Sequence, residues 1–262
     1  MDLQTMLNEL VKIFPLVGAY LAAGTFIFVR LLGFMRAAPI LSRKDIPAIV
    51  KLALALLLTI ALTPLIKSTN LKIIESSFTL SLLLNYAVGA MIGFVARVLL
   101  AAVDAGADMI NMQMGLSSAM VLDPSTSTQV SIMQNLFSTL GILIFIELGG
   151  IYWMFAAFMR SIEIFPLGAV TLPLDQLVNL DYLVEITSNV LYMGLQIASP
   201  ILLATLGQDI ILGVISKTAP QVNVFQLSFL FKPVLGAAIL IWIMPMLINV
   251  INQYFLSFAN II

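Results

Sequence analysis

Ser76 to Ala96 reads SSFTLSLLLNYAVGAMIGFVA, 21 residues without a charge. A helix rises about 1.5 Å per residue and about 20 apolar residues cross a bilayer core, so this stretch alone is long enough to span a membrane. The same ruler moved outward finds uncharged runs at Ile13 to Val29 and Leu52 to Ile66 before it, and at Pro124 to Ile146, Ile186 to Gln208 and Pro233 to Ile262 after it. The run at Leu52 extends back to Ile46 if the Lys51 ammonium snorkels out of the apolar layer. About six long apolar helices are expected, which makes the chain an all-α, polytopic membrane protein. Pro200 and Pro245 fall inside apolar runs, where the missing N–H and the ring clash predict kinks. Gly89 and Gly93 form a small-xxx-small pair, the pattern that lets two helix backbones approach closely in an apolar setting.

Composition agrees. The 262 residues are 61% hydrophobic and 10% charged, with a mean hydropathy of +1.10, whereas a soluble domain carries about 25% charged residues. A soluble globular fold is excluded. Twelve Lys plus Arg against thirteen Asp plus Glu leave a net charge of -1, so no basic surface gathers phosphates and nucleic acid is not an expected partner. The absence of Cys and His removes disulfides, thiolate chemistry, and zinc and haem ligation, and no cofactor or metal is expected.

Catalysis finds little footing. No nucleophile elbow, HExxH or Walker A sequence occurs. Ser117 and Ser118 have no His or Lys beside them to activate a hydroxyl. Asp104 and Asp108 lie one turn apart on one helix, whereas a proton-sharing pair needs carboxylates brought from different helices. The chain is expected not to be an enzyme.

The ends and loops say less about orientation. Asp2 and Glu9 with only Lys12 give the wrong sign for the basic start of a secretory signal, so the first helix is expected to stay in the mature protein. Basic residues do not alternate between loops: Arg36, Arg43, Lys44 and Lys51 occupy the first connection, and Lys67 and Lys72 the second. Short loops with a weak bias would produce that pattern, and so would helices that do not all cross a bilayer in the ordinary way, so no sidedness is assigned.

The helix from Ser76 continues without a breaker into polar sequence. At 3.6 residues per turn Arg97, Asp104, Asp108 and Asn111 share one face, which must look at protein or water because a carboxylate in lipid costs several kcal/mol. Two readings stand: a stripe paired between helices, with Arg97 and Lys232 compensating Asp104, Asp108, Glu147 or Asp209, and an ion or proton path running on carboxylates alone. Next comes NMQMGLSSAMVLDP, Asn111 to Pro124, rich in Met and small residues and closed by an Asp-Pro turn signal. It reads as a loop or broken helix buried in protein or lining a cavity, with Met either as core filler, which composition favours, or as a soft, adaptable surface.

These residues resemble the FliR family, the R component of the flagellar type III export gate, whose injectisome counterparts are the sister branch. The likeness runs from about Arg36 to Pro245. It includes Ala38-Pro39-Ile40-Leu41-Ser42 and Val50-Lys51-Leu52-Ala53-Leu54. Its most specific block is Ala105-Gly106 with Met112-Gln113-Met114-Gly115-Leu116-Ser117, closed by Asp123-Pro124. A further block is Leu212-Gly213 followed by Ala219-Pro220-Gln221-Val222-Asn223-Val224-Phe225.

The resemblance implies one export-gate domain over residues 1–262, with a FliP-like part about 1–180 and a FliQ-like part about 181–262. It implies a part in a helical hetero-oligomeric ring with FliP and FliQ homologues, beside other membrane proteins of the export apparatus. That ring passes unfolded flagellar proteins across the bacterial inner membrane at the flagellar basal body. It also implies a channel plug at Met112, Met114, Gly115, Leu116, Ser117, Ser118, Ala119 and Met120. In such a ring Arg97, Asp104, Asp108, Asn111, Glu147 and Asp209 become buried polar or inter-subunit residues. The equivalent injectisome subunit and a stand-alone ion-coupled transporter are the alternative readings.

Overall fold

In the computed structural model the described residues are 15–43, 46–65, 78–117, 120–123, 128–168 and 180–259. Seven helices occur among them: α1 Pro15–Ala37, α2 Ala48–Leu62, α3 Phe78–Gln113, α4 Ile132–Glu147, α5 Gly150–Ile164, α6 Leu180–Thr218 and α7 Val224–Ala259. The two strands, β1 Met120–Asp123 and β2 Thr128–Ser131, pair antiparallel with Met120 opposite Ser131 and Asp123 opposite Thr128. The fold is that of an all-α polytopic membrane protein carrying one small hairpin. Tyr20–Ala37, Phe78–Gln113, Thr187–Thr218 and Val224–Phe258 are long and apolar enough to cross a membrane, and α4 with α5 forms a broken pair that meets the same test.

The runs read from sequence become these elements with three differences. The run at Leu52 yields a helix of only 15 residues, closed by a 3-10 turn at Thr63–Leu65 that contains Pro64. In the run at Pro124 the first described residues, Thr128–Ser131, are strand; its helix begins at Ile132, where the Ser131 hydroxyl accepts from the Gln134 N–H at 3.1 Å and caps the first turn. Helix α5 lies outside the expected runs, because Glu147, Arg160 and Glu163 interrupt the apolar pattern there. Helices α6 and α7 continue through Pro200, Pro233 and Pro245.

The chain packs as two units that interleave in sequence. One comprises Met1–Arg97 and Tyr152–Leu183, the other Val98–Ile151 and Val184–Ile262. In the first, Phe26, Ile27, Leu31, Phe34, Phe158 and Phe165 are buried, and Phe34 packs against the rings of Phe155 and Phe158 at 5.8 and 5.6 Å. The close approach read from Gly89 and Gly93 is present, and its partner is Gly33 of α1. A Cβ on Gly33 would overlap the Tyr86 carbonyl, one on Gly89 the Arg30 carbonyl, and one on Gly93 would sit 2.6 Å from the Ala38 nitrogen. Backbones this near gain dispersion along their whole contact, which is what holds helices together where lipid removes the hydrophobic drive.

In the second unit Val103, Ala107, Ile110, Phe137, Ile197, Ile201, Ile251 and Phe255 are buried. Helices α3 and α6 meet at another glycine pair, where a Cβ on Gly106 would lie 3.0 Å from the Gly194 oxygen. Gly141 of α4 faces Val103 and Leu100, and Phe145 of α4 meets Phe255 of α7 edge-on at 5.7 Å.

Candidate functional site

The end of α3 is closed by backbone geometry that the sequence encodes at one residue. Gly115 takes φ +73, the left-handed conformation that costs other residues about 1–2 kcal/mol. Its N–H bonds the Met112 carbonyl at 3.1 Å and the Leu116 N–H reaches back to the Asn111 carbonyl at 3.1 Å, which together satisfy two terminal carbonyls in a Schellman motif. The two methionines here differ: Met112 is 71% exposed, Met114 only 1%. Met114 lies against Gly236 of α7. Leu116 is half-buried and Ser117 exposed. Ser118 and Ala119 lie outside the described residues, and Met120 opens β1.

The polar residues singled out from sequence are not buried alike. Arg97, Asp108 and Glu147 are exposed, Asp104 is half-buried, and Asn111 is buried with its side-chain oxygen receiving no hydrogen bond from the described residues. Asp108 accepts from the Ser131 hydroxyl at 2.9 Å, so the end of β2 is tied back to α3 at the base of the hairpin. Asp209 of α6 pairs with Lys232 of α7 at 2.8 Å, an ion pair between two of the residues expected to compensate each other.

The most constrained polar group was missed from sequence because it stands one residue past the end of an apolar run. Arg30 of α1 has no exposed surface. Its Nε donates to Asn85 Oδ1 at 3.0 Å, Nη2 to the same oxygen at 2.7 Å and to the Phe165 carbonyl at 2.8 Å, and Nη1 to the Ser161 carbonyl and hydroxyl at 2.9 and 3.2 Å. A guanidinium has five N–H donors, and these five bonds use them. The acceptors at Ser161 and Phe165 lie at the C-terminal end of α5, where orphan carbonyls and the negative end of the helix dipole suit a cation. The guanidinium also lies 5.4 Å from the Phe165 ring centre. Asn85 is held in turn, its Nδ2 donating to the Ser81 and Leu167 carbonyls at 2.7 and 2.9 Å. A single charge buried among apolar helices thus joins α1, α3 and the turn after α5. The readable signal was an Arg and an Asn, each inside a stretch otherwise apolar enough to face lipid.

Outer faces are apolar. Trp242 and Ile241 of α7 are 83% and 74% exposed, and Leu203, Ile210 and Ile211 of α6 are exposed as well. Between α1 and α2 runs a groove of about 580 Å³ lined by Gly24, Phe28, Leu56 and Thr59, among others. Thr25, Thr59 and Thr63 spend their hydroxyl protons on carbonyls one turn back, at 2.8, 2.7 and 2.6 Å, so the groove offers apolar surface.

Comparison with known proteins agrees with this architecture. The chain belongs to the bacterial export proteins, family 1, which it matches over residues 21–258. It is 26% identical over 234 residues to the flagellar biosynthetic protein FliR of Escherichia coli (strain K12), covering 89% of this chain and 88% of that one. It is 24% identical over 257 residues to FliR of Bacillus subtilis (strain 168), covering 95% and 93%. FliR of Aquifex aeolicus (strain VF5) is 27% identical over 240 residues, covering 89% and 90%. The chain is an integral membrane component of the flagellar export apparatus, in flagellum biogenesis and protein export.

Proposed function

We propose that the chain is a non-enzymatic, channel-forming part of the flagellar export gate, assembling with FliP and FliQ homologues to pass unfolded flagellar proteins across the bacterial inner membrane at the basal body. The observation that carries the reading is helix length combined with surface. Helices α3, α6 and α7 contain 36, 39 and 36 residues, about 54–58 Å at 1.5 Å per residue, against an apolar bilayer core of about 30 Å. Helices of that length with apolar outer faces fit a stack of neighbouring subunits better than an isolated bundle in lipid. Exposed Arg97, Asp108 and Glu147 are then available to pair with charges on those neighbours.

Within that assembly the segment from Met112 to Met120 serves as the plug. Small residues let it be displaced by a passing chain, and methionine seals against ions when none is passing. Deleting Gly115 to Met120 tests this. Ion leakage should rise while the complex still assembles; unchanged conductance in intact complexes contradicts the plug.

A further inference from the structure

We propose that Met114 fastens the root of the plug to α7, so that the two methionines flanking Gln113 do separate jobs: Met112 presents to the passage and Met114 holds. The proposal rests on the plug reading above. Met114 is 1% exposed, and its side chain runs along the α7 backbone at Gly236. A Cβ built on Gly236 would fall 2.7 Å from Met114 Cγ, 2.9 Å from Cε and 3.1 Å from Sδ. The absent side chain at Gly236 is therefore the socket, and an unbranched, polarizable thioether is well suited to lie in so shallow a one.

The receiving stretch of α7 is itself tied down. Lys232, one turn before Gly236, pairs with Asp209 of α6 at 2.8 Å. Helix α3 is held a second time where Gly106 approaches Gly194 of α6. Gly106 and Met114 lie about 12 Å apart along the helix, and two fixed points at that spacing stop the end of α3 from swinging against α6 and α7. The backbone then turns at Gly115, φ +73. The plug thus leaves the protein from a fixed point, and the part of the chain that resembles FliQ supplies the socket for a segment of the part that resembles FliP.

Methionine oxidation reads this directly, because sulfoxide formation follows exposure. The purified complex is treated with hydrogen peroxide and the peptides are weighed. Met114 should oxidise at least tenfold more slowly than Met112. Gly236→Val should evict Met114, bring its oxidation up to the rate of Met112 and raise ion leakage. Adding Met114→Ala to Gly236→Val exchanges similar volumes across the contact and should return leakage to the unaltered level. Equal oxidation of the two methionines in the unaltered complex overturns the proposal, as does leakage in Gly236→Val that Met114→Ala does not relieve. Eviction of Met114 with no change in leakage upholds the fastening and overturns the plug reading instead.

Discussion

Arg30 and Asn85 hold each other inside apolar helices through two hydrogen bonds to one oxygen, Nε at 3.0 Å and Nη2 at 2.7 Å. The cation is balanced by amide and helix-end carbonyls at Asn85, Ser161 and Phe165. Replacing Arg30 with Met strips the donors from the buried Asn85 oxygen and the Phe165 carbonyl, at about 1–3 kcal/mol each, while the Ser161 carbonyl keeps the Phe165 N–H at 2.9 Å. A loss of at least about 2 kcal/mol is expected, read as a lower thermal midpoint and yield in detergent. Arg30→Lys should not rescue it, because three donors on a point charge cannot replace a planar fork of five.

The glycines divide into two classes. Gly89→Ala places a methyl into the Arg30 carbonyl, backbone against backbone, and should separate α1 from α3 with loss of folded protein. Gly207 and Gly213 of α6 have nothing among the described residues within 4 Å of where a methyl would stand, so alanine there should stabilise the helix by up to about 1 kcal/mol. Thermal midpoints of the three variants, measured side by side, check the contrast.

Gly115→Ala forces a side chain into the left-handed conformation and should cost about 1 kcal/mol. Gly115→Asn should cost less, since Asn is the next most tolerant residue at this cap position. Equal stability of both variants with the unaltered protein would show that the cap at Gly115 contributes nothing.

Ser131→Ala removes both the α4 cap and the bond to Asp108 and should cost about 1 kcal/mol. Asp108→Asn keeps a carbonyl to accept from Ser131 at an exposed position and should stay within about 0.5 kcal/mol. If ion flux falls in Asp108→Asn while stability and assembly hold, the carboxylate path gains over a purely structural role for Asp108.

Much of the architecture was legible because hydrophobic run length and helix identity are the same physical fact. Gly89 and Gly93 announced a helix crossing in their spacing, and Gly33 with Ala37 repeats that spacing on the partner helix, but nothing local says which small-residue pair meets which. Lys232 and Asp209 were readable as candidates to pair but not as a pair, since which charges meet depends on how α6 and α7 lie against each other. Strand Thr128–Ser131 was hidden in an uncharged run that looked helical, and strand Met120–Asp123 in a stretch that read as a loop or broken helix. Arg30 was invisible to a search for uncharged stretches, which stops at the first charge and cannot tell a loop cation from a buried one. The separate fates of Met112 and Met114 follow from Gly236, far along the chain on α7, and no local rule reaches that far.

Assembly is the central claim, and native mass spectrometry of the tagged protein, extracted in mild detergent from its own bacterium, tests it most directly. The account predicts recovery in a large complex with two other small, multi-helix membrane proteins. Recovery as a monomer or homo-oligomer would contradict it.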